Sequence, residues 1–317
     1  MKYNPRFAAV LTPSNRQSIR FSFQSGSRFP CIFEAFSNVN SGGVRRVGGL
    51  RVMSDGVFEN GYLRSSIDRF QAAVTADFNS GSTLDEAIQN NRGLLQKNTY
   101  TYLKPEKINS FEVGYKGLFF NRTLKVDADF YFNRYNNFIA QIEMNVPHTT
   151  VAELIPYYLN DRTLQDRYRI YTNSQSVVYN YGSSLGISYM LNSKYSINGN
   201  VSYAKLSRTD NGDGFEDGFN TPEWIGNIFF LGENVWKTLG FNVTYKRQSS
   251  FYWRSFLVNG GVKPYGALDA HISYSFEKSR LDIKVGATNL TNKYYNSFLG
   301  GPAVGGLYYT TLTYYLQ

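Results

Sequence analysis

Residues 281–288 read Leu-Asp-Ile-Lys-Val-Gly-Ala-Thr, with every odd position apolar and every even position polar or glycine. Side chains of a β-strand alternate between opposite faces, so a strict period of two predicts a strand with one apolar and one polar side. The preceding stretch repeats the pattern. Leu268, Ala270, Ile272, Tyr274 and Phe276 share one side, and Asp269, His271, Ser273 and Ser275 share the other. Lys278, Ser279 and Arg280 supply the turn between the two runs.

Alternating runs recur in pairs along the chain. They cover 6–12 with 17–24, 108–119 with 123–135, 176–191 with 194–208, 222–231 with 236–247, and 266–276 with 280–288, and 307–315 closes the series. The count is about eleven strands. The links inside each pair are short and polar: 13–16, 121–122, 192–193 and 232–234 join the first four pairs. The links between pairs are long, running over about 25–107, 136–173, 209–221, 248–263 and 289–306. Strict alternation of short and long connections puts every long loop at one end, as in a membrane-spanning barrel with tight turns on one side and large external loops on the other. With the long loops outside the cell, the last strand runs inward and Gln317 is periplasmic. Within the first long link, Thr83 and Glu86 form a capping-box pattern and predict a short helix over 82–96. The glycine-rich stretch 42–49 is read as a flexible loop.

The residue types fit a sheet facing two solvents. On 123–135, Leu124, Val126, Ala128, Phe130 and Phe132 oppose Lys125, Asp127, Asp129 and Asn133. A charge on the lipid face at mid-depth costs about 2–4 kcal/mol, so charges are expected on one side only. A soluble sandwich accounts for the alternation equally well. It accounts less well for the aromatic pairs at strand ends, among them Tyr294-Tyr295, Tyr308-Tyr309 and Tyr314-Tyr315, which suit an interfacial girdle. Aromatic residues make up 17% of the 317, and this enrichment favours strands and membrane interfaces. No apolar run approaches the roughly 20 residues of a spanning helix.

Chemistry is sparse. The net charge of +9 is scattered rather than gathered into a stripe, which argues against a nucleic-acid partner. The single cysteine, Cys31, permits no internal disulfide and no cysteine-based zinc site. His148 and His271 are read as solvated, and no G-x-S-x-G elbow or phosphate loop is present, so no catalytic residue and no cofactor are assigned. The acidic loop carrying Asp210, Asp213 and Asp217 is a weak calcium candidate whose spacing departs from an EF-hand. Phe251, Tyr252, Trp253 and Arg254 form the candidate ligand-binding group, combining stacking surfaces with a cation at the base of an external loop, with an interfacial anchor as the alternative.

Four stretches, in order, resemble the TonB-dependent outer-membrane receptor family, in particular its Bacteroidetes forms. Residues 103–116 carry Pro105, Glu106, Glu112 and Gly114 and are similar to its "L-x-P-E-x-x-x-S-x-E-x-G-x-K" strand start. Arg28, Pro30 and Glu34 resemble its "F-R-x-P-x-x-x-E" loop start. Asn289, Asn292 and Tyr295 match its "N-L-x-N-x-x-Y" penultimate-strand signature, and 302–309 resembles its closing strand. These residues read as structural: proline at a strand start removes no ladder bond, and asparagine tolerates left-handed turn geometry. The resemblance implies an all-β, antiparallel transmembrane barrel of about 22 strands with an N-terminal plug, of which residues 1–317 are a C-terminal portion lacking the plug. It further implies a Gram-negative outer-membrane location, contact with membrane lipid, energy from the TonB complex, and a possible surface lipoprotein partner. The expected function is uptake of a scarce ligand such as a siderophore, glycan or peptide. A passive porin-like channel and a soluble secreted adhesin or lectin are the alternatives.

Overall fold

A computed structural model describes residues 3–209, 214–216, 218–255 and 258–316. Eighteen strands occur among them: β1 (Arg6–Ser14), β2 (Gln17–Arg28), β3 (Asn38–Ser41), β4 (Val44–Val47), β5 (Tyr62–Leu63), β6 (Glu106–Phe119), β7 (Leu124–Asn136), β8 (Ile139–Pro147), β9 (Gln165–Asn173), β10 (Val178–Met190), β11 (Tyr195–Arg208), β12 (Trp224–Trp236), β13 (Leu239–Gln248), β14 (Phe251–Arg254), β15 (Asn259–Val262), β16 (Tyr265–Phe276), β17 (Leu281–Thr288) and β18 (Leu307–Tyr314). Eleven of them form one sheet in the order β1-β2-β6-β7-β10-β11-β12-β13-β16-β17-β18, every neighbouring pair antiparallel. These are the eleven runs that the alternation marks. Among the described residues β1 and β18 do not pair with each other, so the sheet is open at both edges.

Register carries the alternation of single strands into continuous rows. Phe241 faces Ile272, Ile272 faces Val285, and Val285 faces Thr310. Tyr115 lies between Ile19 and Ala128, and Ala128 opposes Leu185. This apolar face has no layer packed on it. Phe130 is 50% exposed, Ile228 and Ile272 58%, and Leu312 66%. A sandwich would cover such a face with a second sheet. The opposite face carries cross-strand ion pairs: Lys116 Nζ with Asp127 Oδ2 at 3.1 Å and Lys246 with Asp269 between adjacent strands, and Arg20 on β2 with Asp129 on β7 across β6. β12 departs from clean segregation, since Ile225, Phe229 and Leu231 share the polar side with Asn227.

Tight turns lie at one end of this sheet and long connections at the other. Most turns fall where the polar residues mark them, with Asn121 and Arg280 left-handed at φ 53° and 52°. One differs. β12 runs through 232–234 to Trp236, with a register shift between Gly232 and Trp236, and the chain turns at Lys237 (φ 52°). A bulge, with Asn234 at φ 48°, absorbs the turn-forming residues read from the sequence.

The two longest links are not plain loops. Together they build a second sheet in the order β3-β4-β9-β8-β5, with β4 parallel to β9, and helices α1 (Ile32–Phe36), α2 (Arg51–Ser54), α3 (Val57–Asn60), α4 (Arg64–Asn79), α5 (Leu84–Asn91) and α6 (Ile155–Asn160). This cap has its own core. Val47, Phe58, Ile142, Met144 and Ile170 are buried against one face of the sheet, while Phe70, Val74, Ala87 and Ile88 join α4 to α5. The expected capping box starts α5: Thr83 N–H donates to Glu86 Oε2 at 2.9 Å, and Glu86 N–H to Thr83 Oγ1 at 3.3 Å. Residues 42–49 are not the flexible loop expected. They form the β3–β4 turn and β4 itself, and a Cβ on Gly48 or Gly49 would lie 2.1 Å from Ala35 O or 1.9 Å from Tyr171 O. These two glycines let backbones touch.

Candidate functional site

The motif residues that read as separate signals meet at the loop end of the sheet. Arg28, the last residue of β2, donates to Glu34 at 2.9 and 3.0 Å and to Glu106 at 3.3 and 3.4 Å. Glu106 is 6% exposed and also accepts the Ile139 N–H at 2.9 Å. Glu34 closes a capping box on α1 with Cys31, whose N–H donates to Glu34 Oε2 at 2.8 Å. One guanidinium thus ties the barrel strands β2 and β6 to the first element of the cap. Pro30 lies between β2 and α1, and Pro105 immediately precedes β6. Glu112 accepts from Ser22 Oγ at 3.3 Å. Gly114 sits between Arg20 and Asp129 in one cross-strand row. A Cβ there would lie 2.3 Å from Arg20 Nε and 2.7 Å from Asp129 Oδ1, so glycine leaves room for that ion pair.

A second tie joins the 209–223 link to the cap. Glu216 and Gln141 exchange backbone hydrogen bonds at 2.8 and 3.4 Å, extending the edge of β8. The Glu216 carboxylate pairs with Arg169, which is 4% exposed and lies 3.5 Å from Glu143. Burial lowers the pKa of the Arg169 guanidinium and Glu143 opposes that shift. Phe215 is 1% exposed, stacked on Tyr100 at 5.7 Å with Arg208 4.8 Å from its ring centroid. Asp210, Asp213 and Asp217, the calcium candidates in this link, lie outside the described residues, as does Gln317. Among the described residues no cluster of three or more metal-ligating side chains occurs.

The third feature is built by the 289–306 link. Asn289 and Asn292 adopt φ 49° and 52°, the left-handed geometry their type suggests. Asn289 N–H donates to Asp269 Oδ1 at 2.9 Å, and Asn292 Oδ1 accepts the Gly306 N–H at 2.7 Å, closing the link on itself. Tyr295 then stacks on Tyr265 with centroids 3.8 Å apart. Tyr265 shares the parity of Ala267, Asp269 and His271, so this stack lies on the polar side of the sheet. A cleft of about 540 Å³ opens here, bounded by Lys263, Tyr265, Tyr294, Tyr295, Asn296 and Phe298.

The four residues singled out in sequence do not line this cleft; they reach it through Trp253 on Phe298 and through β15, whose residues 261–262 do line it. Phe251–Arg254 is strand β14, paired with β15 as a separate ribbon. Trp253 packs on Phe298 at 5.4 Å, Arg254 lies 5.6 Å from the Tyr252 ring centroid, and Asn220 clamps the Arg254 backbone with two 2.8 Å hydrogen bonds. The cleft-lining rings come from elsewhere: Tyr265 from the start of β16, and Tyr295 and Phe298 from the 289–306 link. The only sequence signal for this site is the tyrosine pair 294–295, which by pattern alone suits a girdle equally well. Rings with one lysine and one amide suit a ligand with flat apolar faces and a few polar groups.

The family described as "TonB dependent receptor-like, beta-barrel" matches residues 1–290. No curated protein matches. Among solved structures, the FrpB iron transporter from Neisseria meningitidis (F3-3 variant) superposes with a TM-score of 0.56 at 13% identity over 97% of this chain and 39% of its own. The copper transporter OprC gives 0.58 at 12% over 97% and 38%. The ferric-catecholate import receptor Fiu from E. coli K12 gives 0.54 at 12% over 97% and 34%. At these identities the likeness is one of fold, and the chain spans 34–39% of the length of those three proteins.

Proposed function

The chain belongs to the TonB-dependent receptor-like β-barrel family, and on that premise we propose that it forms one part of the wall and loop cap of an outer-membrane importer energised through TonB. Barrels of this family lie in the outer membrane, and its members are receptors and transporters rather than enzymes. The observation that carries the reading is the eleven-stranded antiparallel sheet with an uncovered apolar face and all its long connections at one end. The open edges support a larger barrel. β1 and β18 both run from the loop end to the turn end, so they cannot pair antiparallel with each other. Antiparallel closure therefore takes an odd number of further strands, and eleven more reach the family's total of about 22.

The cleft beside Tyr265 and Tyr295, backed by Phe251–Arg254, is the ligand-contacting surface in this reading, with the cap above the strand ends guarding the approach. Import follows capture at the loop end and rearrangement of a plug that the barrel encloses. A surface lipoprotein partner fits the same loop end. The test is fractionation of the native host combined with uptake. The protein should partition with outer membranes, and uptake of its ligand should vanish when TonB is deleted. Recovery in the aqueous phase, or uptake indifferent to TonB, overturns the proposal.

A further inference from the structure

At the turn end of the sheet, the polar face holds a pocket of about 440 Å³, with Ser14, Arg16, Ser18, Lys116, Leu118 and Lys125 among its walls. Register places it on that face. Ser18 lies beside Lys116, Lys116 beside Asp127, and Leu118 beside Lys125. The first turn is fixed against the strands: Leu118 N–H donates to Arg16 O at 2.8 Å, and Arg16 N–H donates to Ser14 Oγ at 3.3 Å. Charge sets the pocket apart from the wall above it. Higher up, cations meet carboxylates, as Arg20 does with Asp129, and Lys116 at the pocket itself is matched by Asp127. Arg16 and Lys125 are exposed and have no carboxylate within ion-pair distance among the described residues. The same sign runs along the rim. Every tight turn at this end carries a cation, in order Arg16, Arg122, Lys194, Lys237 and Lys278 with Arg280, against the single carboxylate of Glu277. A concave site under a field of one sign concentrates counter-ions. A guanidinium fork, an ammonium and two serine hydroxyls are donors suited to an oxyanion.

We infer that this pocket is an oxyanion site at the periplasmic mouth of the barrel, taking the phosphate or carboxylate group of a small water-soluble molecule on Arg16 and Lys125. The pocket opens on the face away from hydrocarbon, so it has no place for an acyl chain. The inference rests on the receptor reading above for which end is periplasmic. Two sources bring such a group to the mouth: a ligand leaving the lumen, and a solute of the periplasm. Both are held by the same charge-assisted hydrogen bonds, which weaken as salt screens them.

The test uses the complete receptor purified from its own host in mild detergent, with pyrophosphate as the probe and titration calorimetry at low salt. Arg16→Gln and Lys125→Gln should each weaken binding about tenfold, as loss of one charge-assisted contact does. Leu118→Glu puts a carboxylate into the pocket and should abolish binding. Lys194→Gln removes a rim cation outside the pocket and should change the affinity by no more than about twofold. Unchanged heat-modifiable migration checks that each variant is assembled. Absence of binding by wild type, equal weakening by Lys194→Gln, or binding that survives Leu118→Glu overturns the inference. Two further arms separate the sources. Receptor in sealed liposomes, turn end inward, is given pyrophosphate on one side only, and binding is read by phosphorus-NMR line broadening. Binding from inside assigns a periplasmic solute, binding from outside assigns a group carried through the lumen, and binding from neither side overturns the site. The calorimetry needs neither TonB nor transport. Uptake indifferent to TonB therefore overturns the receptor reading alone, and a failed titration overturns this inference alone.

Discussion

Exchanging neighbouring residues on β17 measures the two-solvent sheet directly. Val285 lies in the apolar row Phe241–Ile272–Val285–Thr310, and its neighbour Lys284 points to the other side, opposite Ser273 and Thr311. Val285 is four residues above Leu281 at the turn end. At a rise of about 3.4 Å per residue and a tilt of about 45°, that places it roughly 10 Å into an apolar band about 25 Å tall. Arginine at such a depth costs about 2–4 kcal/mol. A loss of that size lowers the assembled-to-unassembled ratio about 30- to 900-fold. Lys284→Ala removes a solvated charge from the polar side and should stay within about 0.5 kcal/mol of wild type. The assay is heat-modifiable gel migration and urea titration of outer membranes from the protein's own host. Equal losses for Val285→Arg and Lys284→Ala, or the larger loss for Lys284→Ala, refute the face assignment.

Phe215→Ala deletes a fully buried ring between Tyr100 and Arg208 and should destabilise the attachment of the 209–223 link by about 3–5 kcal/mol. Cleavage of that link by a glutamate-specific protease, which cuts after Glu216, and faster amide exchange in β8 are the readouts. Glu216→Ala removes one carboxylate partner of the buried Arg169 while Glu143 stays 3.5 Å away, which argues for a loss near the lower bound for a broken buried pair, about 3 kcal/mol; an unchanged exchange rate at Gln141 would contradict it. Gly114→Val drives Arg20 and Asp129 apart, and the expected sign is a lower urea midpoint with the apolar face untouched. Desolvation, followed by the hydrogen bond to Glu59, raises the Tyr102 phenol to about 12. A raised pKa stabilises the fold fully below the ordinary tyrosine value of about 10, and that contribution is lost as pH rises through about 12. Ultraviolet titration of wild type against Tyr102→Phe should show the missing transition near pH 12, and a missing transition near the ordinary value would remove the argument.

The comparison of sequence and structure separates by the range of the interaction. Strands with one apolar face and one polar face are legible because the period is local, and each such run lies in the sheet, with β12 mixing its faces and bulging. The α5 cap and the left-handed Asn289 and Asn292 are legible for the same reason, since each depends on residues within a few positions. β8 was legible in principle: Ala140, Ile142, Met144 and Val146 alternate with Gln141, Glu143 and Asn145. Its partners are β5, two residues long, and β9, which lies outside the hairpin rhythm, so no neighbouring run in the sequence marks the pairing.

By itself, then, the order of residues determined which side of most long strands is apolar and which is polar, because a strand's own geometry converts spacing into facing. Only the tertiary structure decided that two distant links fold into one cap with a mixed sheet. The contacts responsible cross long stretches of chain. Arg28 reaches Glu106, Glu216 reaches Arg169, and Tyr295 reaches Tyr265, and no periodicity in any one segment encodes a partner found in another. The same holds for Gly114, whose missing side chain makes sense only once Arg20 and Asp129 meet across it.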